Sequence, residues 1–332
     1  MGKKIDLEIW AGEITFYEYM TSFFSFSKVI QVDENLSLKY NLNSYIDKEH
    51  INKDISDIYK ALYTATSLPK HLQATFSQLG ISHLFAISGF HLGVLSGLLF
   101  FLVRMPYTFF QNRYFPYRSY KIDSFLIISF LLLTYLLFLD IPASLLRAYV
   151  MLIIGFILYD RGFKIISMMT LLLSGLLIIS FAPRLLFSLG FWLSMSGVFY
   201  IFLFLIHFKD LSKVWQFILV PIWVYLMMLP LSLFIFETFS IYHPLSILWT
   251  SLFTLFYPLS IFLHLFGISN LLDSVILQLL NIASMPSTIS LSWTIISSFI
   301  ILSFLVIYKK VFLWTLLYFS ISIFIYAIYN VT

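Results

Sequence analysis

Cysteine is absent from all 332 residues, which excludes disulfides, thiol nucleophiles and thiolate metal ligands. Charge is scarce: Asp, Glu, Lys and Arg together make up 11% of the chain, where a soluble domain carries roughly a quarter. The first 20 residues hold Lys3, Lys4, Asp6, Glu8, Glu13 and Glu18, so no cleavable signal peptide is expected there. What is abundant is apolar surface, at 60% hydrophobic and 20% aromatic residues. That composition places the chain among membrane proteins. The net charge of +4 is accounted for by basic loops and needs no nucleic-acid surface.

The charges are unevenly spread. Residues 1–80 hold 8 Lys against 10 Asp and Glu, and residues 81–332 hold 12 Lys and Arg against 6 Asp and Glu. A small acidic front segment therefore precedes a large membrane body. A crossing helix needs about 20 mainly apolar residues. That rule predicts spans at 82–103, 124–139, 142–159, 165–182, 187–207, 214–236, 243–266, 290–308 and 311–330, an all-α polytopic fold of about nine transmembrane helices. Arg147 is the one formally charged residue inside them.

Lys and Arg mark cytoplasmic loops. Arg104, Arg113, Arg118 and Lys121 follow the first predicted span, Arg161 and Lys164 the third, Lys209 and Lys213 the fifth. This places residues 1–80 outside the cytoplasm. Lys309 and Lys310 break the pattern, because nine simple crossings leave them outside. A dip or crossing by residues 269–285 repairs it, and so short a stretch could equally lie flat at the interface. In the front segment, "KIDLEIW" and "LSLKYNL" read as strands. Residues 53–80 read as two amphipathic helices around Pro69 on the membrane surface, with Ile55, Ile58 and Leu62, then Leu72, Phe76 and Leu79, as apolar stripes.

Polar groups are costly where no water solvates them, so their placement inside spans is informative. On one continuous helix Gly89, Gly93 and Gly97 form a ridge for close packing, while His83, Ser88 and His91 cluster on another face. Two turns separate the histidines, about 12 Å along the axis, which argues against a shared metal ion. Ser88 and His91 have the spacing of a nucleophile and its base, without a nearby carboxylate to orient the pair. Ser144 and Arg147 lie in the first turns after Pro142. Gly190, Ser194 and Gly197 share a narrow packing face, from which Ser196 and Trp192 point away. Pro221, Pro230 and Pro258 predict interrupted helices, tolerated where freed backbone faces protein or a wet cavity.

"HLFAISGFHLGVLSGLLF" (83–100) resembles the H-L-x-A-I-S-G-x-H-x-G signature of the ComEC competence family. "IPASLLRAYVML" is similar to its P-S-x-x-R-A segment, through Pro142, Ser144, Arg147 and Ala148. "APRLLFSLGFWLSMSGVFYI" is similar to its P-x-x-L-x-x-x-G-F-Q-L-S segment. The blocks occur in the family's order over roughly residues 50–300. Trp192 replaces the family's Gln, and Trp249 and Thr250 stand where an Asn is expected.

The resemblance implies an inner-membrane channel passing single-stranded DNA into the cytoplasm during natural transformation, without catalytic activity or cofactor. His83, Ser88, His91, Ser144, Arg147 and Ser196 would line it. Its partners would be single-stranded DNA, membrane lipid and other competence proteins: a DNA receptor, a cytoplasmic motor and a separate nuclease. "KKIDLEIWAGEITFYEYM" resembles the last strand and exit helix of the family's OB-type domain. This gives an expected division into an OB-type remnant (1–52), surface helices (53–80) and the channel domain (81–332). The seven histidines include no H-x-H-x-D-H run, so the family's nuclease part is not expected here. The alternatives are a transporter of another anionic solute, an intramembrane hydrolase using Ser88 and His91, or an inactive relic of the channel.

Overall fold

In the computed structural model, residues 3–9, 15–21, 27–85, 87–282 and 287–331 are described. Strand β1 (Lys3–Ile9) pairs antiparallel with β2 (Ser27–Leu36) around the short helix α1 (Phe16–Met20). Trp10, in the predicted first strand, lies outside the described residues. The second predicted strand, 36–42, is corrected. Beyond Leu36 the chain forms helix α2 (Leu38–Glu49), because the Ser37 side chain accepts the Tyr40 N–H at 3.2 Å and caps it.

Helices α3 (Lys53–Thr64) and α4 (Lys70–Gln78) flank Pro69, and the six predicted stripe residues are all buried. They do not face lipid. Ile55, Ile58, Tyr59, Leu62 and Phe76 share one core with Phe253, Tyr257, Ile276 and Leu279 from much later in the chain. The stripe pattern is the same for either cover, so only the fold reveals which apolar surface meets it.

The first predicted span is divided. Helix α5 (Ser82–Phe85) stops, Ser88 is extended (φ −128°, ψ 169°), and α6 (Gly89–Tyr114) begins there. Then come α7 (Tyr120–Phe138), α8 (Ala143–Asp160), α9 (Met168–Phe181), α10 (Leu189–His207) and α11 (Lys213–Phe236). Strand β3 (Thr238–Phe239), α12 (Ser246–Leu265), α13 (Asp273–Leu280), β4 (Ser287–Thr288), α14 (Trp293–Tyr308) and α15 (Val311–Tyr329) complete the fold. Pro221, Pro230 and Pro258 sit inside helices that continue through them. The predicted interruptions at these prolines are corrected.

Among the described residues, six helical segments are long and apolar enough to cross a membrane: Gly89–Tyr114, Tyr120–Phe138, Leu189–His207, Lys213–Phe236, His243–Leu265 and Val311–Tyr329. β3 pairs antiparallel with β4, and the Ile289 N–H reaches the Glu237 carbonyl at 2.8 Å. The chain between them, including α12 and α13, therefore leaves and returns to one place. Both ends of α12 also meet the front helices. His243 Nε2 lies 2.9 Å from the Ser77 carbonyl, and the Tyr45 hydroxyl donates to the His264 carbonyl at 2.8 Å. α13 packs against α3 as a short helix.

This geometry resolves the lysine anomaly. Lys310 Nζ lies 6.0 Å from the Phe208 ring centre, and His207 Nε2 is 3.2 Å from the Val306 carbonyl. The α14–α15 turn is thus at the same end of the bundle as the α10–α11 turn, with Lys209 and Lys213. Because β3 and β4 meet, the chain between them crosses an even number of times or not at all.

Candidate transport site

The three sequence blocks converge at the start of α8. The turn before it holds Asp140 and Ile141 at φ 63° and 54°, a left-handed conformation unfavourable for a β-branched residue. Pro142 follows, and the Ser144 hydroxyl donates to the Ile87 carbonyl at 2.6 Å. That bond satisfies backbone freed by the break between α5 and α6, where an unpaired carbonyl in hydrocarbon would cost several kcal/mol. One turn on, Gly89 faces Ala148 so closely that a Cβ on Gly89 would lie 3.0 Å from the alanine methyl.

Arg147 is 3% exposed. Its Nη1 donates to the Gly190 and Phe191 carbonyls at 2.6 and 2.8 Å, and its guanidinium lies 5.5 Å from the Phe191 ring centre. Nε is buried without a hydrogen-bond partner, and among the described residues no carboxylate pairs with the charge. Two hydrogen bonds from a charged donor contribute about 1.5–3 kcal/mol each, enough to offset an insertion cost of about 2.5–3.5 kcal/mol. The side chain is stable there while its positive charge remains unneutralised. In this structure it is enclosed between α8 and α10.

His91 is also buried. Its Nδ1 accepts the Ser88 N–H at 3.1 Å and lies 3.0 Å from Ser88 Oγ, while the ring meets Phe253 and Tyr257 of α12 edge-on. Because the Nδ1 lone pair already serves the backbone, the ring caps α6 in this state. Nε2 has no hydrogen-bond partner among the described residues, so no carboxylate orients the ring for base catalysis. His83 lies on α5, with Nε2 3.3 Å from Thr250 Oγ1. The continuous helix on which His83, Ser88 and His91 were placed is corrected, since the extended Ser88 breaks it.

The glycine ridge is realised only in part. Gly89 makes the close approach, whereas Cβ atoms at Gly93 and Gly97 would meet nothing within 4 Å. On α10, Gly197 likewise faces open space and Gly190 meets only Ser188 Oγ at 3.8 Å. Ser194 and Ser196 are half-buried, and Trp192 donates to the Leu186 carbonyl at 2.8 Å. The tight contact in this region falls instead at Gly175, 2.9 Å from the Met195 methyl when a Cβ is added.

Two surface spaces were not anticipated. A groove of about 680 Å³ between α3, α4, α5 and Pro142 is lined by Thr66, Ser67, Lys70, Gln73, Ser77 and Ser82 among others. A cleft of about 370 Å³ lies between Phe90, Thr250, Ser251 and Thr254 on one side and Lys213, Gln216, Phe217 and Pro221 on the other. The hydroxyl run at 250, 251 and 254 is its sequence signal. Each of those hydroxyls donates to a carbonyl of its own helix, leaving oxygen lone pairs for donors in the cleft. No group of three or more metal-ligating side chains occurs among the described residues.

A helical, multi-pass membrane protein with three motif blocks meeting around a buried arginine is the class that fold and site define. The chain belongs to the Competence protein family, whose model matches residues 64–331. Among curated proteins and among solved structures, nothing matches it.

Proposed function

We propose that the protein is an inner-membrane channel passing single-stranded DNA into the cytoplasm during natural transformation. Membership of the competence family supports the biological role. The observation that carries anion transport is Arg147, a buried cation without a counterion where the three blocks meet. Separating α8 from α10 would exchange its carbonyl partners for phosphate oxygens, which a planar guanidinium recognises in pairs. Lys213 in the cleft, and Lys70 and Gln73 in the groove, offer cationic and hydrogen-bond donor groups to a phosphate chain. The cell's motor, DNA receptor and nuclease would then be separate proteins. Residues 1–80 face outward in this reading, and the ends carrying Lys209, Lys213, Lys309 and Lys310 face the cytoplasm.

Uptake of labelled DNA tests this. Arg147→Ala should bind DNA outside the cell normally and lose its passage to the cytoplasm, with Arg147→Lys intermediate. Normal passage in both variants at normal membrane levels would remove Arg147 from the transport path.

A further inference from the structure

Where α12 ends, two histidine rings meet in a way that fixes a proton count. His50 Nε2 lies 3.1 Å from His264 Nε2. On the far side of His50, Nδ1 faces the Asp273 carboxylate at 3.0 Å. On the far side of His264, Nδ1 faces the Ser260 carbonyl at 2.7 Å, which can only accept. The Tyr63 hydroxyl, 3.3 Å from the same Nδ1, spends its proton on Ser260 Oγ, which in turn donates to the Tyr257 carbonyl. Burial pushes the Tyr63 hydroxyl well up from its ordinary pKa, so that proton stays in place.

His264 therefore carries hydrogen on Nδ1, and so does His50 opposite an ionised Asp273. Two such neutral rings would present bare lone pairs to each other across 3.1 Å. One additional proton removes the conflict, giving a carboxylate–imidazole–imidazole relay of zero net charge. That electrical neutrality is what a dry site demands.

We propose that His50, His264 and Asp273 form a proton-binding latch that holds the end of α12 on the front helices, and that a second proton releases it. Two imidazolium rings at this separation repel, and burial leaves little water to screen them. The other titratable groups facing the pair are Glu49 and Tyr45 on α2 and Tyr59 and Tyr63 on α3. Only Glu49 among them adds charge. Since Thr250, Ser251 and Thr254 on α12 form one wall of the cleft, acidification would move that wall.

The chain's lack of cysteine makes a direct test possible. Ile276, 3% exposed in the core beneath the latch, is replaced by Cys, with fully exposed Ile51→Cys as the reference for reagent chemistry. In the full-length protein in membranes, the labelling rate at 276 relative to 51 should rise about tenfold between about pH 8 and pH 5, the scale of one pKa unit of coupling. His264→Gln should abolish the rise, and His50→Gln serves if that variant is absent from membranes. A ratio independent of pH in the otherwise native chain would overturn the latch. So would slowing of labelling by Zn²⁺ that a chelator reverses, since that would make the histidine pair a metal site.

Discussion

Arg147 and the His50–His264 pair are both buried cation sites, yet they are completed differently. The histidine pair is neutralised by Asp273, and each outer nitrogen has an acceptor. Arg147 has two carbonyls and no carboxylate among the described residues. A compensated cluster holds one geometry and responds to protons. An uncompensated charge retains attraction for an anion not yet present. The first suits a fastener, the second a transport path.

The sharpest way to break this comparison is Arg147→Ala, for which DNA passage should fall at least tenfold while membrane levels hold, measured by protected intracellular label. Equal loss of protein would make Arg147 a clamp like the histidines. Next is Gly89→Leu, where the clash with Ala148 should cost about 1–3 kcal/mol, as overpacking does. Gly93→Leu should be silent within one chain, and thermal melts in detergent compare the two. Thr250→Val with Thr254→Val should reduce passage a few-fold without changing folding, scored by the same uptake assay. Passage unchanged by the pair would remove the cleft from the path.

Single cysteines at Ile51 and Lys309 should react from opposite sides of the membrane with an impermeant reagent. Reaction from the same side would restore nine simple crossings. The smallest effect belongs to Asp47, a surface contrast to the latch. Burial raises its carboxyl, but hydrogen bonds from Lys60 and Ser56 outweigh this and hold it below its ordinary value. Its folded pKa lies below the unfolded one, so its contribution is present above the unfolded value and fades as pH falls through the folded one. Asp47→Asn should barely shift an acid melt, because the Asp47 side chain is half exposed.

Helix positions were legible because long apolar runs have one stable form in hydrocarbon. The break at Ser88 was not, since no proline marks it and Ser144, 56 residues on, supplies the bond that tolerates it. The prolines that looked like breaks lie in continuous helices. Arg147 stood out as the lone charge in the spans, but its carbonyl partners on α10 could not be read from spacing. His50, His264 and Asp273 went unseen because their separations in the chain exceed any local periodicity, apart from the nine-residue gap between His264 and Asp273.

The sequence by itself determined the membrane class, the helical segments and the three blocks of the competence family, since composition and short-range order suffice for these. Only the tertiary structure decided that the chain from β3 to β4 returns to the end it left, that Gly89 rather than Gly93 meets a neighbour, and that two distant histidines meet at 3.1 Å. Those outcomes depend on which surfaces meet across the bundle. Hydropathy along the chain records how apolar a segment is, while its direction and partners are set by long-range pairs such as β3 with β4.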